Sequence, residues 1–258
     1  MKIINKTQDD YIANLDNISK IINDIPGWFC ENDRFLFNLL LSFQNVAKIP
    51  GNILEVGVYY GQCFAYMQNF LKDNEKLIGL DINPYFYKIQ EKYNLYNNID
   101  FRLENSNKLL DLNINNIRFC HIDASHIFDD VYRDIKTVYK IINSYGGIIV
   151  LDDFSGVNYL NSIITAYYKA IFDDKLNLRA FLISDNKIYL LNVTNANIYY
   201  NHLKNNIVQY IPKELENKIY IKSCIGNSVH NQPVISCSMC PNGLDTETQI
   251  PIYNYHLS

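Results

Sequence analysis

Four aspartates and a histidine stand where chemistry could be done. Asp81 ends the run Leu77-Ile78-Gly79-Leu80, and Asp123 and His126 follow Phe119-Cys120-His121-Ile122. Asp152 and Asp153 follow Ile148-Ile149-Val150-Leu151. Carboxylates gathered in one place repel each other unless something positive sits among them. An oxygen-donor set with open positions suits a hard divalent cation, Mg²⁺ above all, which keeps waters and accepts substrate oxygens. A histidine beside such a set, with a pKa near 6.5, can take up a proton at neutral pH.

A second feature is the glycine turn Glu55-Val56-Gly57-Val58-Tyr59-Tyr60-Gly61-Gln62. Glycine lets a backbone adopt positive φ and approach a ligand closely. The dinucleotide fingerprint needs its second glycine two residues after the first so that the backbone can touch a pyrophosphate. Here Val58-Tyr59-Tyr60 fills that stretch, so a ligand without phosphates fits better and a nicotinamide dehydrogenase is disfavoured. An acidic residue at the next strand end accepts ribose hydroxyls in folds of this kind, which is the role open to Asp81.

These residues need elements to bring them together. Short apolar runs at 52–56, 76–80, 99–103, 117–122 and 147–151 alternate with stretches of helical period, among them Ile127, Val131, Ile135, Val138 and Ile142. Such alternation predicts βαβ units and a parallel sheet, with ligands beyond the carboxyl ends of the strands. Two further runs, 178–183 and 187–193, flank Ser184-Asp185-Asn186 and predict a hairpin. Upstream, Thr7 to Asp10 reads as a capping box ahead of Ile12, Leu15, Ile18, Ile22 and Ile25. A second helix is predicted from Asp33 to about Ala47, with Phe35, Leu36, Leu39, Leu40 and Phe43 on its buried side. Beyond the hairpin, a helix over 195–210 and short strands within 218–238 are expected.

The glycine turn resembles motif I of the class I S-adenosylmethionine-dependent methyltransferases, acidic-x-Gly-x-x-x-Gly. Ile-Asp-Ala-Ser-His, then Asp-Asp-Val-x-x-Asp, then Gly-Gly-Ile-Ile-Val-Leu-Asp-Asp resemble the metal-dependent sugar O-methyltransferases of macrolide pathways, such as the macrocin and mycinamicin enzymes. The resemblance spans residues 25–193 and includes Pro26-Gly27-Trp28. It implies a Rossmann-like α/β fold: a doubly wound sheet with a terminal β-hairpin, an N-terminal helical cap over 1–50, a cofactor domain over 51–194 and a C-terminal extension over 195–258. It implies S-adenosylmethionine bound by Glu55, Gly57, Tyr59, Gly61, Asp81, Asn105 and Ser106. Asp123, Asp152 and Asp153 would hold Mg²⁺, with His126 as general base; some members use an aspartate as the base instead. The expected acceptor is a hydroxyl of a sugar or glycosylated metabolite. A metal-dependent catechol or phenol O-methyltransferase is the alternative, weakly disfavoured because no aromatic-rich lid is evident. A non-catalytic protein that only binds the cofactor is disfavoured by so costly a carboxylate set.

Composition excludes other classes. With 23 basic and 27 acidic residues the net charge is −4, against the basic footprint of a nucleic-acid binder or a polybasic membrane-surface protein. No apolar stretch reaches the roughly 20 residues of a membrane span, and the first residues lack the apolar region of a signal peptide. A cytoplasmic protein without disulfides is expected. The C-terminal extension would pack on the domain or form a homo-oligomer contact. Cys237-x-x-Cys240, with Cys224 and His230 nearby, matches no zinc ribbon. Asp129, Asp130 and Asp134 are read as structural, on the solvent side or near the start of their helix.

Overall fold

The computed structural model describes residues 20–154, 161–216, 218–224 and 233–239. The capping box and the apolar positions before residue 20, His230 and Cys240 lie outside them. Helix α1 covers Glu31–Val46, and β1 (Asn52–Val56) leads through α2 (Gln62–Met67) to β2 (Leu77–Asp81). Helix α3 (Tyr85–Tyr93), β3 (Ile99–Leu103), β4 (Ile117–Ile122), α4 (Phe128–Ile141) and β5 (Ile148–Leu151) follow. Helix α5 (Ser162–Tyr168), β6 (Leu178–Ile183), β7 (Ile188–Asn192), α6 (Val193–Asn206), β8 (Ile219–Cys224) and β9 (Val234–Met239) complete the order.

Among the described residues nine strands form one sheet in the order β3-β2-β1-β4-β5-β7-β6-β9-β8. The first five are mutually parallel, and β7 joins β5 antiparallel as the inner arm of the expected hairpin. Alternate residues feed two cores, because βα crossovers cover both faces of a parallel sheet. Ile53, Phe119, Ile148 and Val150 point into the core shared with α1, α2 and α6. Leu54, Cys120, Ile122, Ile149 and Leu151 point into the core under α4 and α5. The predicted strands agree with the observed ones to within a residue at most ends. Ile127 does not join the buried stripe: it is the N-cap of α4 and is 65% exposed.

The C-terminal strands extend this sheet. β9 runs parallel to β6, pairing through Leu182–Ile235 and Ile183–Ser236, and β8 closes on β9 antiparallel. Asn32, at the start of α1, donates to Asp185 Oδ2 at 2.9 Å and to the Cys237 carbonyl at 3.2 Å, while the Met239 amide donates to Asp185 Oδ1 at 2.7 Å. The segment before α1 is fastened to α2: the Phe29 amide donates to Gln62 Oε1 at 2.9 Å, and Gln62 Nε2 donates to the Ile22 carbonyl at 3.1 Å.

At the amino-terminal end of the parallel strands Arg118, in β4, is fully buried. Its guanidinium donates to both Glu75 carboxylate oxygens, to Gln44 Oε1 at 2.9 Å and to the Phe70 carbonyl at 2.7 Å. This knot ties α1, β4 and the approach to β2 together. Among the described residues no helix is long and apolar enough to cross a membrane.

Candidate active site

Every predicted site residue except Glu55 lies at or just beyond the carboxyl ends of the parallel strands. The turn after β1 takes positive φ at Gly57 (+91°), Tyr59 (+54°) and Gly61 (+90°). A Cβ on Gly57 would stand 1.9 Å from the Asp123 carbonyl oxygen, so the turn and the end of β4 touch and only glycine fits between them. Asp81 stabilises the turn from β2. Its Oδ2 accepts the Tyr59 amide at 2.6 Å, and its Oδ1 accepts the Asn83 amide at 2.7 Å. Positive φ is rare for a tyrosine, and the Asp81 bond offsets its cost. A carboxylate has about four acceptor positions, so Asp81 keeps capacity for a ribose.

Aromatic rings gather beside this turn. Trp28, 86% exposed, stacks on Tyr59 at 5.6 Å, and Tyr60 stacks on Tyr85 at 4.8 Å. Tyr59 meets both Tyr60 and Tyr85 edge-on. The sequence concealed this group because Trp28 and Tyr85 come from separate segments.

After β3, Asn105 Oδ1 accepts the Asn107 amide at 2.9 Å and so caps the 3₁₀ turn that begins at Ser106. The Ser106 hydroxyl faces Asp134. That aspartate is 1% exposed, not on the solvent side of α4 as expected. Burial raises its carboxyl to about 6, with the Ser106 hydroxyl and Arg133 acting against the rise. Asp130, by contrast, caps the loop before α4 by accepting the Ser125 hydroxyl at 2.8 Å.

The acidic residues fall into two linked groups. In the first, Asp123, His126 and Asp153 each offer a ligand atom within 4.8 Å of the others. His126 Nε2 is 2.8 Å from Asp153 Oδ2, and Asp153 itself holds φ +53° just after β5. Asp123 is raised above the usual carboxylate range by enclosure and by the charge on Asp152. Ile122, Val131, Leu151 and Ile163 line the apolar side of a pocket whose rim is Asp123, Ser125, His126 and Asp152.

In the second group Asp152 turns inward. Its Oδ1 accepts the Asp153 amide at 2.7 Å, and its Oδ2 is bonded to Lys187 Nζ and lies 3.3 Å from His121 Nε2. Lys187, 1% exposed, also reaches Asp33 Oδ2 at 3.4 Å. On the far side His121 Nδ1 is 2.8 Å from Glu55 Oε1, and Cys63 Sγ is 3.5 Å from the same nitrogen. The result is a buried row in which acidic and basic groups alternate: Asp33, Lys187, Asp152, His121, Glu55. Burial alone would discharge Lys187, but Asp33 and Asp152 more than reverse it and hold the ammonium charged. His121 is likewise penalised by burial yet lifted to about 9 by its bonds to Asp152 and Glu55. Asp152 is driven down, against burial, by Lys187 and His121. Glu55 is raised by burial, with His121 opposing.

Glu55 therefore lies beneath the turn, 2% exposed, rather than at its surface. Lys187, Asp33 and His121 were missed as site residues. The available signals were a lysine opening a hairpin strand at the ligand edge, and a histidine inside the otherwise apolar β4 apart from Arg118. The repulsion that argued for a metal is met in part by Lys187. The donors that remain, Asp123, Asp153 and His126, still fit a hard divalent cation, being two carboxylates and an imidazole with room for water.

Residues 54–154 match a protein-family model described as a methyltransferase domain. No curated protein matches the sequence. Among solved structures, the chain is similar to an O-methyltransferase from Bacillus cereus in complex with SAH: 15% identity, 73% of this chain and 93% of that one, TM-score 0.53. It is similar to the O-methyltransferase TomG from Streptomyces achromogenes, involved in tomaymycin synthesis and solved with SAM, at 11% identity over 71% and 95% of the two chains, TM-score 0.54. The O-methyltransferase NovP aligns at 11% identity over 62% and 79%, TM-score 0.51. At these identities the likeness establishes the fold, and the family match falls on the glycine turn, Asp81, Asp123, His126, Asp152 and Asp153. Residues 54–154 carry a methyltransferase domain, which supports a methyltransferase activity for this chain.

Proposed function

We propose that the enzyme transfers the methyl group of S-adenosylmethionine to a hydroxyl of a sugar or glycosylated metabolite, assisted by Mg²⁺. The observation that carries this reading is the contact between Gly57 and the Asp123 carbonyl. It brings the glycine turn, read here as the cofactor's, against the cluster of Asp123, His126 and Asp153. Gly57, Tyr59, Gly61, Asn105 and Ser106 would line the cofactor, with Asp81 on its ribose; Glu55 would act from below, through His121. Asp123 and Asp153 would hold the cation beside His126.

A sugar hydroxyl is nearly as weak an acid as water, whose pKa is about 15.7, and attacks a sulfonium methyl poorly while neutral. A bound divalent cation supplies Lewis acidity that lowers that pKa. The chain's own residues do the rest. Asp153 holds the imidazole of His126, 2.8 Å away, and the neutral ring would accept the hydroxyl proton. In this reading residues 1–50 cap the pocket, 51–194 bind the cofactor and 195–258 extend the sheet or join subunits. The enzyme works in the cytoplasm on a small molecule, not on nucleic acid or a membrane.

One observation favours the phenolic alternative. The stacked Trp28–Tyr59 pair beside the turn offers an aromatic surface for a catechol-like acceptor. Calorimetric titration with S-adenosylhomocysteine, with and without Mg²⁺, followed by turnover assays on glycosides and catechols, tests both. One-to-one binding and Mg²⁺-dependent methylation of a glycoside are expected. Methylation of catechols alone would favour the second reading, and no cofactor binding by folded protein would defeat both.

A further inference from the structure

Lys187 is the feature that the proposed chemistry leaves unexplained. A lysine ammonium is strongly hydrated, and burying one is costly unless it is paired. Here it is buried between two carboxylates, Asp33 from α1 and Asp152 from the end of β5. Asp152 is the most heavily engaged of the three carboxylates: Lys187 bonds Oδ2, His121 Nε2 lies 3.3 Å from the same oxygen, and Oδ1 accepts the Asp153 amide. Its neighbours in the sequence-predicted metal set are differently placed. Asp123 and Asp153 converge on His126, and Asp123 also lies within 4.8 Å of ligand atoms of Asp152 and His121.

We infer that Lys187 is a resident cation that withholds Asp152 from the metal, so that the divalent ion is held by Asp123 and Asp153 and the affinity of the site is set by Lys187. The inference rests on the proposed cation site at Asp123 and Asp153. It adds that the third carboxylate is satisfied by the chain itself. Affinity for hard cations rises with the charge and number of the oxygen ligands. An ammonium that occupies one carboxylate therefore keeps the ion weakly held and exchangeable. Asp33 has a positioning role, since it holds the other side of the same ammonium from the start of α1.

The test is Mn²⁺ binding by the purified full chain, followed by electron paramagnetic resonance and calorimetry, with no acceptor present. The double variant Asp33→Asn/Lys187→Met removes one charge of each sign and leaves Asp152 facing His121 only. It should bind Mn²⁺ at least ~10-fold more tightly than the wild type, as one added carboxylate ligand would. Affinity equal to or below the wild type in a folded double variant would overturn the inference. If that variant does not fold, Asp152→Asn decides: Mn²⁺ affinity within ~3-fold of the wild type is expected, because Asp152 is not a ligand, whereas a loss of ~10-fold or more would overturn the inference. Asp153→Ala separates this from the underlying reading. Retention of Mn²⁺ by that variant would remove the proposed cation site itself. Wild type that binds no Mn²⁺ while the double variant does would overturn the inference as stated, since the ion would then need Asp152. Absence of binding in both would overturn it.

Discussion

Asp81 offers the sharpest single measurement, because its two oxygens already have assigned bonds. Each accepts one backbone amide, Tyr59 at 2.6 Å and Asn83 at 2.7 Å, which leaves about two acceptor positions for the ribose hydroxyls of the cofactor. Asp81→Asn keeps the shape and one oxygen but turns the other into a donor and removes the charge. At least one charge-assisted bond is lost, worth about 1.5–3 kcal/mol. That corresponds to a rise of roughly 10- to 150-fold in the dissociation constant of S-adenosylhomocysteine. Asp81→Ala loses the ribose bonds and the bond to Tyr59, so its effect should be larger and should be accompanied by loosening of a turn held at positive φ. Calorimetric titration of both variants reads the effect, and Mn²⁺ binding serves as the control that the acidic cluster is intact. A folded Asp81→Asn variant with cofactor affinity within about threefold of the wild type would refute the assignment of the ribose to this carboxylate.

Other perturbations report on other parts of the structure. Asp153→Ala should abolish Mg²⁺-dependent methylation while S-adenosylhomocysteine still binds; full turnover in that variant or in excess chelator would count against the cation. Arg118→Met strands buried Glu75 and should cost about 3–5 kcal/mol in chemical denaturation, with Glu75→Gln in the same chain recovering part of it. His121 gives the fold a pH dependence. Its folded pKa of about 9 lies above the ordinary histidine value, so the stability it contributes is complete below about pH 6.5 and is lost as pH rises through 9. Glu55, raised as well, loses stability in the same direction as it ionises. The melting temperature should therefore fall between about pH 6.5 and 9.5, and His121→Gln should flatten the slope; a flat wild-type profile would contradict the buried row. Gly57→Ala would drive a methyl into the Asp123 carbonyl and should reduce both cofactor and Mn²⁺ binding, a pairing that calorimetry can check.

The strand ends were legible because apolar runs alternate with helical stretches, and topology then delivers Asp81, Asp123, His126 and Asp153 to one edge without any knowledge of contacts. What the pattern could not supply was orientation. Asp152 and Asp153 are adjacent, yet one turns inward to Lys187 and the other outward to His126, a difference set by the positive φ of Asp153. Asp33 and Lys187 are far apart in the chain and each is unremarkable alone, at a helix start and a strand start. Asp134 was misread because a carboxylate early in a helix ordinarily favours the positive end of the dipole. Its burial follows from the 3₁₀ turn at Ser106 packing across it. Trp28 beside Tyr59 likewise depends on Gln62 drawing the segment before α1 onto the domain.

The bonds from Asn32 to Asp185 and to the Cys237 carbonyl have a consequence for the order of assembly. They join residues 153 and 205 positions apart in the chain, and contacts of such separation carry a high closure entropy. During synthesis the α/β alternation through β7 would emerge and dock well before β9 exists to complete this clasp. Until the clasp closes, the neighbouring Asp33–Lys187 pair can remain hydrated. The costly dehydration of that ammonium is thereby deferred to the last step, when the surrounding sheet is already formed. A chain interrupted between β7 and β9 would then retain its helices and most of its sheet while leaving the charged row wet, a state that proteases and hydrogen exchange would find near α1 first.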